Sequence, residues 1–102
     1  MEQTKDECGI TTTLKVIGSK WTLLIVRDLC EGTKRFGELQ FSLTGISPRT
    51  LSARLKQLET DHIVKKKIYA QVPPRVEYSL TAKGRSLKEI IEQLRLWGEE
   101  KA

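Results

Sequence analysis

The sequence predicts a mainly α fold with a minor β component (α+β), and three observations predict it. Apolar residues recur at helical spacing in several separate stretches between Ile10 and Trp97. A single pair of short segments, 63–70 and 75–80, is instead rich in β-branched and aromatic residues and flanks a tip bearing Pro73 and Pro74. The chain has 102 residues, 38% hydrophobic and 30% charged, which suits one globular domain whose core is small enough to gain from a second copy.

Residues 1–9 show no periodicity and are expected to form an arm ahead of a domain at 10–102. Ile10, Leu14 and Ile17 mark a short first helix despite its threonines, ended by Gly18. Ser19 then caps KWTLLIVRDLC, which is apolar around nearly its whole circumference and so belongs at the centre of the core; Gly32 ends it. After a brief TKR connection, Phe36, Leu39 and Leu43 define one face of a third helix, FGELQFSL, and Thr44, Gly45 and Ile46 turn the chain.

The helix that follows is the most informative. Ser47 can accept from the orphan amides of the first turn, and Pro48 suits the first helical position, where its missing amide costs nothing. At 100° per residue Leu51, Leu55, Leu58 and His62 fall within about 40° of one another. Opposite them lie Arg49, Ser52, Ala53, Lys56, Gln57 and Thr60, a face with no acid and no bulky hydrophobe. A solvated amphipathic helix shares that periodicity, but two helices about a Gly-containing turn, the second one basic, have the spacing of a helix-turn-helix over about 36–61.

Ile63–Ala70 and Arg75–Leu80 read as a hairpin, with Val76, Tyr78 and Leu80 inward and Arg75, Glu77 and Ser79 outward. Lys65, Lys66 and Lys67 before the tip and Arg75 after it suit a basic wing on the phosphate backbone, over about 63–80. Thr81 caps the last helix, about 82–98, whose stripe of Leu87, Ile90, Ile91, Leu94 and Trp97 is long for a terminal helix. It must cover the core or a second copy, so dimerisation is expected through this helix together with the first, with Leu14 and Ile17 joining the seam. The architecture is therefore a winged helix-turn-helix with a two-stranded wing and N- and C-terminal dimerisation helices.

Charge supports a polyanionic partner. The net charge is +5. Residues 47–75 hold seven cations and two acids, whereas the rest holds eleven of each, so the whole excess sits in the basic helix and the wing.

Chemistry of other kinds is thinly represented. His62 is the sole histidine and is read as a partly buried structural residue; no catalytic constellation or glycine-rich phosphate loop can be assembled around it. Catalysis, metals and cofactors are not expected. Two cysteines are too few for a disulfide scaffold. With no long apolar run and a polar N-terminus, a cytoplasmic location with no membrane contact is expected. Cys30, on the apolar second helix, reads as a small hydrophobe. Cys8 lies in a polar stretch beside Asp6 and Glu7, which would raise its thiol pKa unless Lys5 or the positive end of the first helix wins. It is a candidate redox or electrophile switch.

Several stretches together resemble the HxlR-type winged helix-turn-helix regulators, relatives of the MarR group. They are Cys8, GSKWTLLIVRDL (18–29), RFGEL (35–39), GISPRTLSARLKQLE (45–59), VPPRVEYSLTAKG (72–84) and Trp97, spanning about residues 8–98. Gly9 departs from the proline often found after the cysteine. The resemblance implies a homodimer on inverted-repeat operators in double-stranded DNA, with one recognition helix per major groove. It places Ser47, Arg49, Thr50, Ser52, Ala53, Lys56 and Gln57 toward DNA and Lys65–Lys67 with Arg75 on phosphates. It also implies that the cysteine aligned with Cys8 senses oxidants in some members. An effector molecule is unspecified. The rival expectation is an adaptor that keeps the winged fold and turns its basic face to an acidic protein.

Overall fold

The computed structural model describes residues 8–102; the expected arm lies, except for Cys8 and Gly9, outside the described residues. The elements in order are α1 (Gly9–Ile17), α2 (Lys20–Cys30), β1 (Lys34–Arg35), α3 (Phe36–Ser42), α4 (Pro48–Thr60), β2 (Val64–Tyr69), β3 (Arg75–Leu80), α5 (Ala82–Arg85) and α6 (Lys88–Glu100). This is the mainly helical, winged architecture that the sequence predicts, with two revisions to its parts.

The first concerns the sheet, which has three antiparallel strands in the order β1-β3-β2 rather than two. Lys34 and Arg35, read as connection, pair with Tyr78 and Glu77. A two-residue strand has no periodicity of its own and exists only because β3 offers an unpaired edge. Its last residue, Arg35, is also the N-cap of α3, and the Arg35 amide donates to Glu38 Oε1 at 2.7 Å. Strand and helix are thus joined without a loop.

The second concerns the C-terminal helix, which is two helices. Thr81 caps α5 as expected, accepting from the Gly84 amide at 3.0 Å, but the backbone then closes tightly: the Leu87 amide donates to Gly84 O at 3.0 Å, three residues back. Regular α-helix resumes only at Lys88. Gly84 is buried against the β2 entry, where an added Cβ would lie 2.2 Å from Ile63 O, so the chain hugs that carbonyl before α6 departs.

The core gathers Ile25, Val26 and Leu29 of α2, Leu39 and Leu43, Leu51, Leu55 and Leu58 of α4, and Ile46, Ile63, Val64 and Leu80. Apolar area of this kind is the main source of stability in so small a domain. α2 is central as expected, since it contacts α1, α4, β3 and α6. It is less uniformly apolar in use than its sequence implies: Trp21, Leu23 and Leu24 are half-buried, while Asp28 is buried and accepts from Arg27 at 2.8 Å and 3.0 Å.

Between α3 and α4, the Ile46 amide donates to Leu43 O at 3.0 Å, and Gly45 takes φ +94° at the third position of the turn, where a side chain would be strained. At its other end α4 stops at Thr60 and His62 adopts φ +60°. His62 N–H bonds Glu59 O at 3.0 Å and Ile63 N–H bonds Leu58 O at 2.9 Å, a left-handed helix stop of the Schellman type. His62 is therefore exposed rather than partly buried; the apolar stripe ends with the helix, and counting it on to position 62 placed the imidazole on the wrong side.

Candidate nucleic-acid interface

Helix α4 is held by its start and its back. Ser47 Oγ accepts from the Thr50 amide at 3.0 Å, and the two hydroxyls lie 2.9 Å apart. Leu51, Leu55 and Leu58 are 0–1% exposed against the core. With that face fixed, Arg49, Ser52, Ala53, Lys56 and Gln57 all stand exposed on the other. Two of the expected residues have local work. Thr50 is half-buried with its hydroxyl on the cap, and Gln57 Nε2 reaches the Asp61 carboxylate at 3.3 Å.

The wing departs further from expectation. Register pairs Lys65 with Ser79, Lys66 with Tyr78 and Lys67 with Glu77. All three lysines are exposed, but the pleat sends Lys65 and Lys67 to one face and Lys66 to that of Val64. The lysine trio is thus split between two faces. Arg75, expected outward and free for phosphate, is half-covered: its guanidinium carbon lies 4.1 Å from the Tyr69 ring centroid and its Nε 3.5 Å from Glu77 Oε2. Tyr69 Oη donates to Glu77 Oε1 at 3.0 Å, and Lys67 Nζ sits 4.9 Å from the same ring. Sequence alternation predicts a face, but it cannot see a cross-strand aromatic that draws the cation back onto the hairpin. Tyr69 is the residue missed, and its only signal is its position opposite Arg75. The tip carries a cis Val72–Pro73 bond.

The expected dimer seam divides. Ile17 is 3% exposed and belongs to the chain's own core, because α1 lies on α2 and turns that position inward. Leu87 and Ile91 are likewise drawn against the core cluster. Leu14, Ile90, Leu94 and Trp97 remain 46–63% exposed, and with Ile10 and Leu23 the first three line an apolar groove of about 650 Å³ along α1, α2 and α6. That groove has the composition of a surface made to be covered.

Cys8 is exposed at the N-cap of α1, its Sγ 3.8 Å from Thr11 Oγ1. The Thr11 amide, then its hydroxyl, then the Ile10 amide hold the thiol below its ordinary pKa; the helix start therefore dominates over burial in favouring thiolate. Cys30 goes the other way. Burial raises it, opposed by Lys88 and reinforced by Glu31. Among the described residues no cluster of three His, Cys, Asp or Glu side chains could hold a metal.

A family profile described as HxlR-like helix-turn-helix matches residues 16–102. The chain belongs to the HxlR-like helix-turn-helix family. It is 44% identical over 95 residues to the HTH-type transcriptional regulator YybR of Bacillus subtilis, covering 93% of this chain and 76% of the relative. A MarR-family regulator from Porphyromonas gingivalis superposes with a TM-score of 0.91 at 37% identity, covering both chains in full. The oxidized form of the redox regulator HypR gives a TM-score of 0.88 at 43% identity, over 93% of this chain and 98% of that one. This HxlR-like chain is accordingly a DNA-binding transcriptional regulator, and no helix among its described residues is long and apolar enough to cross a membrane.

Proposed function

We propose that this regulator acts as a cytoplasmic homodimer on an inverted-repeat operator, its two α4 helices entering successive major grooves about one DNA turn apart. The observation that carries the reading is the two-sided character of α4: three leucines nearly sealed on one side, and Arg49, Ser52, Ala53, Lys56 and Gln57 exposed on the other. Arg49 stands one residue past the helix start, where side chains reach base edges, and its fork suits guanine O6 and N7. Ser52, Lys56 and Gln57 serve as lesser base or phosphate contacts, Ala53 allows close approach, and Ser47 and Thr50 mainly fix the helix start. Lys65 and Lys67 grip flanking phosphates from one face of the wing.

Leu14, Ile90, Leu94 and Trp97 form the seam of the dimer. Their exposure on α1 and α6 supports that role, as does the two-fold symmetry that a palindromic site demands. Cys8 is the oxidant- or electrophile-responsive group. Its lowered pKa and exposure support this, and the similarity to HypR, itself a redox regulator, is in keeping with it. The regulator carries out no catalysis.

The deciding experiment titrates the protein against the DNA flanking its own gene with bulk DNA as competitor. A site preferred by at least about a thousandfold is expected, together with a dimer by light scattering. Equal affinity for all sequences would remove the operator from the proposal. For the switch, operator affinity is measured before and after diamide in the native protein and in Cys8→Ser; loss of binding in the native protein alone is expected, and equal loss in both excludes Cys8.

A further inference from the structure

A cavity of about 250 Å³ opens where the end of α2 meets β3 and the start of α6. Leu29 and Leu80 give it apolar walls, Cys30 supplies a thiol, and the cations Arg85 and Lys88 stand on its lining. Cys30 and Lys88 also face a second hollow of about 630 Å³ on the other side of the α2–α6 junction. The cations of that second hollow are already matched: Arg27 with Asp28, and Arg95 with Glu92 and Glu99. Its acids are matched too, since Glu31 pairs with Lys34 at 3.6 Å and Glu92 with Arg95.

The first cavity is different. Lys88 has no ion pair or hydrogen bond among the described residues, and Arg85 gives one N–H to Leu80 O at 3.1 Å and meets no acid. Two cations without carboxylate partners, beside a half-buried nucleophile and between apolar walls, form a site that draws an anion in and holds it against sulfur.

We infer that this cavity is a binding and modification site for a small anionic carbon electrophile, held by Lys88 and Arg85 and attacked by Cys30. The thiolate sulfur forms a C–S bond to the electrophilic carbon as the bond to the leaving group breaks; the leaving group takes the electron pair and the thiol proton goes to solvent. Burial keeps most of Cys30 as thiol, so the site discriminates by capturing an anion rather than by raw reactivity. It is separate from Cys8 at the other end of α2's packing partners. An adduct here would sit between α6 and the helix that backs α4.

The test uses iodoacetate, an anion, and iodoacetamide, its neutral counterpart, on the full native chain at one mildly alkaline pH and low salt, with peptide mass spectrometry separating the two cysteines. Cys8 is the internal control, because it is exposed and lies outside the cavity. The iodoacetate-to-iodoacetamide rate ratio is expected to be about fivefold higher at Cys30 than at Cys8, the factor one unit-charge attraction at contact distance gives in water. Lys88→Glu should carry the Cys30 ratio down to the Cys8 value or below, and Lys88→Gln, which changes one charge at nearly constant length, should lower it severalfold if the reversed charge impairs folding. Equal ratios at the two cysteines, no labelling of Cys30 by either reagent in the folded protein, or a ratio unmoved by the Lys88 substitutions would each overturn the inference.

Discussion

The Arg75 guanidinium lies flat over the Tyr69 ring, 4.1 Å from its centroid, while Glu77 takes a hydrogen bond from the same tyrosine and faces the same arginine. Three side chains from two strands thus close on one another, and the charge of Arg75 is partly spent inside the hairpin. Lys65 makes no such contact. Replacing Lys65 by Ala should therefore flatten the dependence of log K on log salt by about one unit, the effect of one lost phosphate contact. Arg75→Ala should flatten it by clearly less. Anisotropy titrations across a salt series measure both slopes, and an equal or larger change for Arg75 would show its charge to be free for phosphate.

Arg49 is exposed and touches none of the leucines behind α4. Arg49→Ala should leave thermal stability almost unchanged, weaken operator binding by roughly 1–3 kcal/mol and relax preference at one base position. Competition against a set of single-base operator variants reads this out; uniform weakening on every variant would make Arg49 a backbone contact instead.

His62 holds a left-handed backbone conformation at φ +60° without a glycine's freedom. His62→Gly should stabilise the fold by about 1 kcal/mol, since a residue with a Cβ pays roughly 1–2 kcal/mol there, less glycine's own entropy on folding. His62→Val should do the reverse. Denaturant melts at fixed protein concentration compare the three.

Gly84 sits so close to the strand entry that a Cβ would meet Ile63 O at 2.2 Å. A backbone carbonyl cannot swing aside like a side-chain tip, so Gly84→Ala should cost about 1–3 kcal/mol, the range for overpacking. The same substitution at Gly98, where a Cβ meets nothing within 4 Å, should be neutral or mildly stabilising.

Tyr78 is pushed above the ordinary tyrosine range, first by burial and then by Glu59. A raised folded-state pKa means that the unfolded chain loses the proton first. The stability tied to the neutral phenol is whole below the unfolded pKa, near 10 for tyrosine, and is lost as pH climbs through the folded value. Tyr78→Phe should therefore flatten the fall in stability above about pH 10. Melts from neutral to strongly alkaline pH test the sign; an identical alkaline limb in the variant would refute it.

What could be read from the sequence was local or periodic. The Ser47 cap and the Pro48 start depend on three or four adjacent residues, and the three leucines of α4 repeat at the helical period, so both are as expected. β1 was invisible because two residues carry no pattern and their pairing is supplied by β3, more than forty residues away. The break before α6 was hidden because Leu87 continues the apolar register even though Gly84, pinned against Ile63, has already bent the path. Ile17 and Leu14 share one stripe, and only the lie of α1 on α2 decides that the former is enclosed and the latter is not. Arg75 went astray for a related reason, since Tyr69 and Glu77 lie across the hairpin.

The central strand β3 is hydrogen-bonded on one edge to β2 and on the other to the two residues that lead straight into α3. The wing and the first half of the helix-turn-helix are in consequence two arms of one bracket, with no hinge between them. Their mutual angle is set when the chain folds, before any duplex arrives, so little orientational freedom is left to surrender on docking. A DNA whose grooves do not match that angle must itself twist or bend to be accepted, and the stiffness of the intervening base pairs then becomes part of what the regulator selects.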